Sequence, residues 1–106
     1  MSNIKETVTR AFNMLEEICA VLESGNDPQS RATALRAWRT EQAERLRALT
    51  AEIRKFPLAD LSPVVNAEKT SHPRASKAID LAVASHGDPE FAKEWQVVSQ
   101  LLGGPT

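Results

Sequence analysis

The apolar positions of the chain fall into runs at helical spacing. In the first run, Ile4, Val8, Phe12, Leu15, Ile18, Cys19 and Leu22 line one face of a helix. Asn3, with Glu6 three residues later, forms a capping-box pattern, and Gly25 follows the last periodic position as a left-handed cap. The pattern predicts a helix over 3–24. The second run opens at Asp27-Pro28, an acidic cap with proline at the first helical position. Its stripe is Leu35, Trp38, Leu46, Leu49, Ile53 and Phe56, with Gln42 filling the missing step and no Gly or Pro before Pro57. One helix over 28–56 is predicted, about 43 Å long at 1.5 Å per residue.

A third run, Ala75, Ala78, Ile79, Ala82 and Val83, begins after Pro73 and stops at Gly87, giving a helix over 73–86 with a small-residue face. The fourth follows Asp88-Pro89 with Phe91, Trp95, Val98 and Leu102 and gives a helix over 89–102, leaving 103–106 as a frayed tail. The connection 57–72 contains Ser62-Pro63, a second cap-plus-proline pair, which predicts a short extra helix near 63–68. Leu58, Leu61, Val64 and Val65 would then pack it onto the core.

Gly25-Asn26-Asp27-Pro28 and Gly87-Asp88-Pro89 are both stop-then-start junctions. Each predicts an antiparallel helical hairpin. The expected fold is all-α, a single domain over 1–106 in which two hairpins form a small irregular four-helix bundle.

Composition narrows the picture. The 106 residues hold 4 Gly, no Tyr, 3 Phe and 2 Trp, which favours helix over sheet. Hydrophobic residues at 42% and charged residues at 25% match a globular domain and exclude collagenous, low-complexity and disordered classes. No apolar run approaches the ~18 residues of a membrane span, and the first residues lack the pattern of a secretory signal. Cys19 has no partner for an internal disulfide. A cytoplasmic location is expected. A domain this small buries only about two-thirds of its unfolded surface, which leaves little room for a deep active site.

The formal net charge is -1, but it is unevenly spread. Residues 28–56 hold Arg31, Arg36, Arg39, Arg45, Arg47, Arg54 and Lys55 against Glu41, Glu44 and Glu52, whereas the segments on either side are net acidic. On a helical wheel, Arg36, Arg47 and Arg54 fall together opposite the apolar stripe, with Arg39 beside them. The acids fall on the other flank. One reading of this edge is a solvated face, with ion pairs such as Glu41–Arg45 and an acidic first helix as neighbour. The other is a stripe that meets carboxylates or phosphates, the groups arginine pairs with bidentately. Trp38 lies near the start of the long helix, which overhangs the first helix by about 10 Å. It is either core or an anchor for another chain, including a second copy of this one through 28–56.

Catalytic chemistry finds no motif. Cys19 sits on an apolar helix face, far from the helix N-terminus that would lower its pKa. His72 and His86 have no metal-ligand spacing, and His72 suits a capping role. Glu16-Glu17 diverge around their helix. There is no glycine-rich phosphate loop and no Gly-x-Ser-x-Gly. No catalytic residue, cofactor or metal is assigned. The polar face of 28–56 is too mixed for a membrane-surface helix.

The sequence therefore predicts a non-enzymatic protein–protein interaction module, an adaptor, small chaperone or inhibitor. Its candidate partner-binding residues are Arg36, Arg39, Arg47, Arg54 and Trp38, facing an acidic surface, and the chain would be a monomer or a homodimer. The rival reading is a nucleic-acid-binding or regulatory protein that contacts phosphates through the same arginines. Against it stand the slightly acidic whole, the lack of a helix-turn-helix and the lack of an aromatic platform.

Overall fold

Three side-chain caps set the helix starts that the sequence marks. Asn3 Oδ1 accepts from Glu6 N at 2.8 Å, Asp27 Oδ1 from Ser30 N at 2.7 Å, and Asp88 Oδ1 from Glu90 N at 2.9 Å. Each satisfies an amide that the first helical turn leaves unpaired. The computed structural model describes residues 3–101, and every regular element among them is helical. The elements are α1 (Ile4–Glu23), α2 (Pro28–Glu41), α3 (Ala43–Ile53), α4 (Leu58–Glu68), a 3-10 turn (Lys69–Ser71), α5 (Pro73–Ser85) and α6 (Pro89–Leu101). The expected position of Leu102 and the expected tail 103–106 lie outside the described residues.

The main core gathers Ile18, Cys19 and Leu22 of α1, Leu35 and Trp38 of α2, Leu46 and Leu49 of α3, Ala78 and Ala82 of α5, and Phe91 and Val98 of α6. Ile18, Leu22, Leu35 and Phe91 are fully buried. Each contributes about 1.5–3 kcal/mol by leaving water. A smaller cluster, Val8, Phe12 and Ala75, lies under Leu61 and Val64 of α4.

The most extensive interhelical seams are α1–α5 and α2–α6, and the sequence neighbours α1–α2 and α5–α6 pack less extensively. Side-chain size accounts for the first seam. α5 buries Ala75, Ala78, Ala82 and Ser85, whose short side chains let it lie close to α1. Ile79 and Val83, one residue round the helix from that face, are left 44% and 69% exposed.

Among the described residues six α-helices stand where four and a short extra one were expected. The predicted helix 28–56 is interrupted at Gln42, whose backbone turns to φ -99°, ψ 16°, the bridge region between helix and strand. The hydrogen bonds on either side survive, Gln42 N to Trp38 O at 2.8 Å and Leu46 N to Gln42 O at 2.9 Å, so the interruption is a bend of one residue. A straight helix of about 43 Å would be longer than the longest principal axis of the molecule, 38 Å. Leu35 and Trp38 before the bend, and Leu46 and Leu49 after it, share one core in a molecule of radius of gyration 13.4 Å.

The connection 57–72 is also more helical than predicted. α4 starts at Leu58, not near 63, because Pro57 is extended and the chain turns helical directly after it. Pro63 lies inside α4, where it has no amide to give to the Ala59 carbonyl. Ser62 Oγ meanwhile donates to Leu58 O at 3.1 Å. α4 buries no residue completely, and Leu58 is 74% exposed.

Gly25 is needed for space rather than for a left-handed cap. A Cβ placed there would stand 3.0 Å from both Cγ and the backbone N of Arg31, in the first turn of α2. Gly87 has nothing within 4 Å of the same position. The two junction glycines are therefore unequal. Gly25→Ala is expected to cost about 1–2 kcal/mol through overpacking. Gly87→Ala is expected to be neutral or to stabilise by up to about 1 kcal/mol through the unfolded chain. Urea unfolding followed by tryptophan fluorescence checks the order.

Candidate interaction surface

The arginines of the predicted stripe divide into two pairs. Arg36 and Arg39, one turn apart on α2, both turn to Glu94 of α6. Arg36 Nε lies 3.0 Å from Glu94 Oε1, and Arg39 Nε and Nη2 lie 3.2 and 2.9 Å from Oε2. The Glu94 side chain is 9% exposed. Burial pushes its carboxyl up, but the hydrogen bonds and charges of the two arginines outweigh this and hold it below the usual carboxylate range. Arg36 reaches Glu94 through Nε alone, and its side chain remains 53% exposed.

Arg47 and Arg54 are exposed on α3 and at its C-terminal cap. Among the described residues neither meets an acidic side chain at salt-bridge distance. Their spacing of seven residues is two helical turns, so both fall on one side of the helix.

Trp38 is buried in the core at 8% exposure, with its indole beside Glu17 of α1. Arg45 takes the same carboxylate in a two-pronged contact, Nη1 to Oε1 at 3.0 Å and Nη2 to Oε2 at 2.7 Å. The hydrogen bond from Arg45 is the leading reason that the Glu17 carboxyl titrates low. Arg45 therefore answers helix α1 and Gln42, its neighbour at 2.7 Å, rather than Glu41. The acidic first helix and the basic second run do meet, but through Arg45, not through the stripe.

Two further residues carry contacts that the sequence did not suggest. Arg31 donates from Nε to Leu22 O at 3.1 Å and from Nη1 to Ser85 Oγ at 2.8 Å, which joins the ends of α1, α2 and α5. Glu23 of α1 receives Arg74 and Lys77 of α5, each at 2.8 Å. The Cys19 thiol, fully buried, donates to Glu23 Oε1 at 3.4 Å. Burial first, and Glu23 second, push that thiol up, so it stays protonated and unreactive. Arg31–Ser85, Arg74–Glu23 and Lys77–Glu23 join residues more than fifty positions apart, and no local motif announces them. His72 makes no capping bond to α5; its ring stacks on Phe12.

Among the described residues, no group of three or more His, Cys, Asp or Glu side chains could hold a metal ion. No helix of the described chain is long and apolar enough to cross a membrane. Open grooves lie beside Ser24, Gln29 and Thr33, and beside Asn3, Glu6 and Arg10. No protein-family model matches the chain, and no curated protein and no solved structure shows significant similarity to it.

Removing the buried carboxylate leaves two guanidinium groups without their partner. Glu94→Ala is expected to destabilise by about 2–3 kcal/mol, and Arg36→Ala by less, because Arg39 still answers Glu94. Chemical denaturation of the two variants checks the order. Glu23 sets an acid limit. The hydrogen bond from Lys77, followed by that from Cys19, lowers its carboxyl from the ordinary 4.5 to about 2. A carboxylate depressed by folding stabilises the fold above its unfolded pKa, and that contribution disappears as pH falls toward the folded one. The loss of stability between about pH 5 and pH 2 is therefore expected to be smaller in Glu23→Gln than in the wild type, measured by the urea midpoint at each pH.

Proposed function

We propose that the chain is a non-enzymatic protein–protein interaction module of the cytoplasm, an adaptor, small chaperone or inhibitor, and that it meets an acidic patch on another protein through α3. The observation that carries this reading is the pair Arg47 and Arg54, exposed and without an acidic partner among the described residues. Arginine keeps five donors in a fixed fork, and an unanswered fork suits a carboxylate brought by another chain. Arg36 extends the surface, since its Nη groups are left over from Glu94. Arg39 and Trp38 would act from behind: one fixes α2 against α6, and the other fills the core beneath Glu17.

The bend at Gln42 supports this reading by setting α3 off from α2, so the Arg47–Arg54 side is carried on a short helix of its own. In the same reading, α1 with α2 and α5 with α6 form two hairpins about the tight junctions at Gly25–Asp27 and Gly87–Asp88. α3 and α4 bridge them. Packing of α1 on α2 and of α5 on α6 supports it.

The test is an affinity pull-down from a lysate of the native host, with nuclease, using the wild type and the double variant Arg47→Glu/Arg54→Glu. Both positions are on the surface, so the melting temperature is expected to change little, within about 0.5 kcal/mol of stability. A stoichiometric protein held by the wild type and lost by the double variant is the expected outcome. A protein held equally by both would remove the arginines from the interface. A signal that vanishes with nuclease would transfer them to phosphate contacts and sink the protein-partner reading.

A further inference from the structure

The outward face of α3 carries more pattern than two arginines. Leu46, Leu49 and Thr50 form its core side. Opposite them Glu44, Arg47, Ala48, Ala51, Arg54 and Lys55 are exposed. They step by three, one, three, three and one, which places them together on the outer side of the helix and its C-terminal cap. Ala48 and Ala51 stand in the middle, so this face has a low floor. A second helix seated on such a floor comes close, because axes approach to about 8 Å where the contact residues are small.

The two flanks of the floor differ in how their charges are answered. Toward one flank, Arg45 is committed to Glu17 at 2.7 Å and Lys55 to Glu52 at 3.1 Å. On the other flank, Arg47 and Arg54 meet no acidic side chain at salt-bridge distance among the described residues. Seven residues separate them, which is about 10.5 Å along the helix axis. Glu44 lies one turn before Arg47, in the first turn of α3. The outer face therefore reads negative, positive, positive from its start to its end.

We infer that the partner meets this surface with an α-helix, laid along α3 over Ala48 and Ala51 and carrying carboxylates seven residues apart for Arg47 and Arg54. The inference rests on the reading of α3 as the contact for an acidic partner, and it adds the partner's shape. Seven residues of a second helix advance by the same 10.5 Å or so, and they return to the same side, so two carboxylates reach both arginines from one flank. An extended strand fits poorly, since its same-side residues recur at about 6.6 and 13.2 Å. The alanine floor brings the partner's backbone near enough for its carboxylates to meet the forks of the arginines. A longer side chain there would hold the partner off. Glu44 fixes the register, because sliding the partner one turn toward the start of α3 sets a carboxylate against a carboxylate. The flank of Arg45 and Lys55 is already neutralised and asks for no charge in return.

An NMR titration of the full, isotope-labelled chain at low salt tests this arrangement with two alanine-based helical peptides of about 20 residues. Both have the same composition and two glutamates. One peptide places the glutamates seven residues apart. The other places them five apart, which turns them about 140° from one another. The first is expected to bind roughly fivefold tighter than the second, with shifts centred on Ala48 and Ala51. The preference is expected to disappear in Arg47→Glu/Arg54→Glu. It is also expected to disappear in Ala51→Gln, which keeps both arginines and a good helix former but raises the floor. Equal binding of the two peptides to the wild type, or binding of neither, would overturn the helical partner. So would a preference that survives Ala51→Gln. The acidic-partner reading itself stands or falls separately, on whether the pull-down yields a protein that the wild type holds and Arg47→Glu/Arg54→Glu loses.

Discussion

Burying a carboxylate costs several kcal/mol unless charge and hydrogen bonds answer it, and Glu94 is answered twice. Arg36 and Arg39 reach it from adjacent turns of α2, and between them they engage both of its oxygens. The three side chains fix how α2 and α6 face one another, and the apolar contacts of Leu35, Phe91 and Val98 follow from that placement. A leucine at position 94 could fill a similar volume. It would not select one register of α2 on α6, because dispersion has no direction and a forked donor does.

The same device recurs with less burial. Arg45 on Glu17 connects α3 to α1, Arg74 and Lys77 on Glu23 connect α5 to α1, and Arg31 spans three helix ends through Leu22 O and Ser85. Among the described residues, no buried side-chain nitrogen or oxygen lacks a hydrogen-bond partner. The small alanine faces of this fold give close packing but little apolar area per residue. Long polar side chains do more of the orienting than they would in a larger domain.

The helix starts were legible because capping is local. Asn3, Asp27 and Asp88 each act within three residues of themselves. The all-helical class was legible from periodicity. The bend at Gln42 was not, since a glutamine within an apolar stripe breaks no helical rule. Nor was the first half of α4, whose start at Leu58 lacks a side-chain cap and whose Pro63 argued for a later beginning, although the helix at 63–68 was. The arginine stripe was legible as a pattern. What the pattern could not show is that Glu94, more than fifty residues away, engages Arg36 and Arg39, while Arg47 and Arg54 meet no acidic side chain among the described residues.

The seam between α1 and α5 has a consequence for how the chain is made. Glu23 and its partners Arg74 and Lys77 are separated by 51 and 54 positions, so α1 leaves the ribosome long before the surface that covers it exists. At about 5–20 residues per second, roughly 3–10 s pass between the two. Through that interval the face bearing Ile18, Cys19 and Leu22 can be sheltered only by α2 and α3, and Val8 and Phe12 wait for both α4 and Ala75. The nascent chain therefore passes through a stage in which the apolar face of its first helical segment is only partly covered, and in which any factor that reads such a face has its longest opportunity to bind.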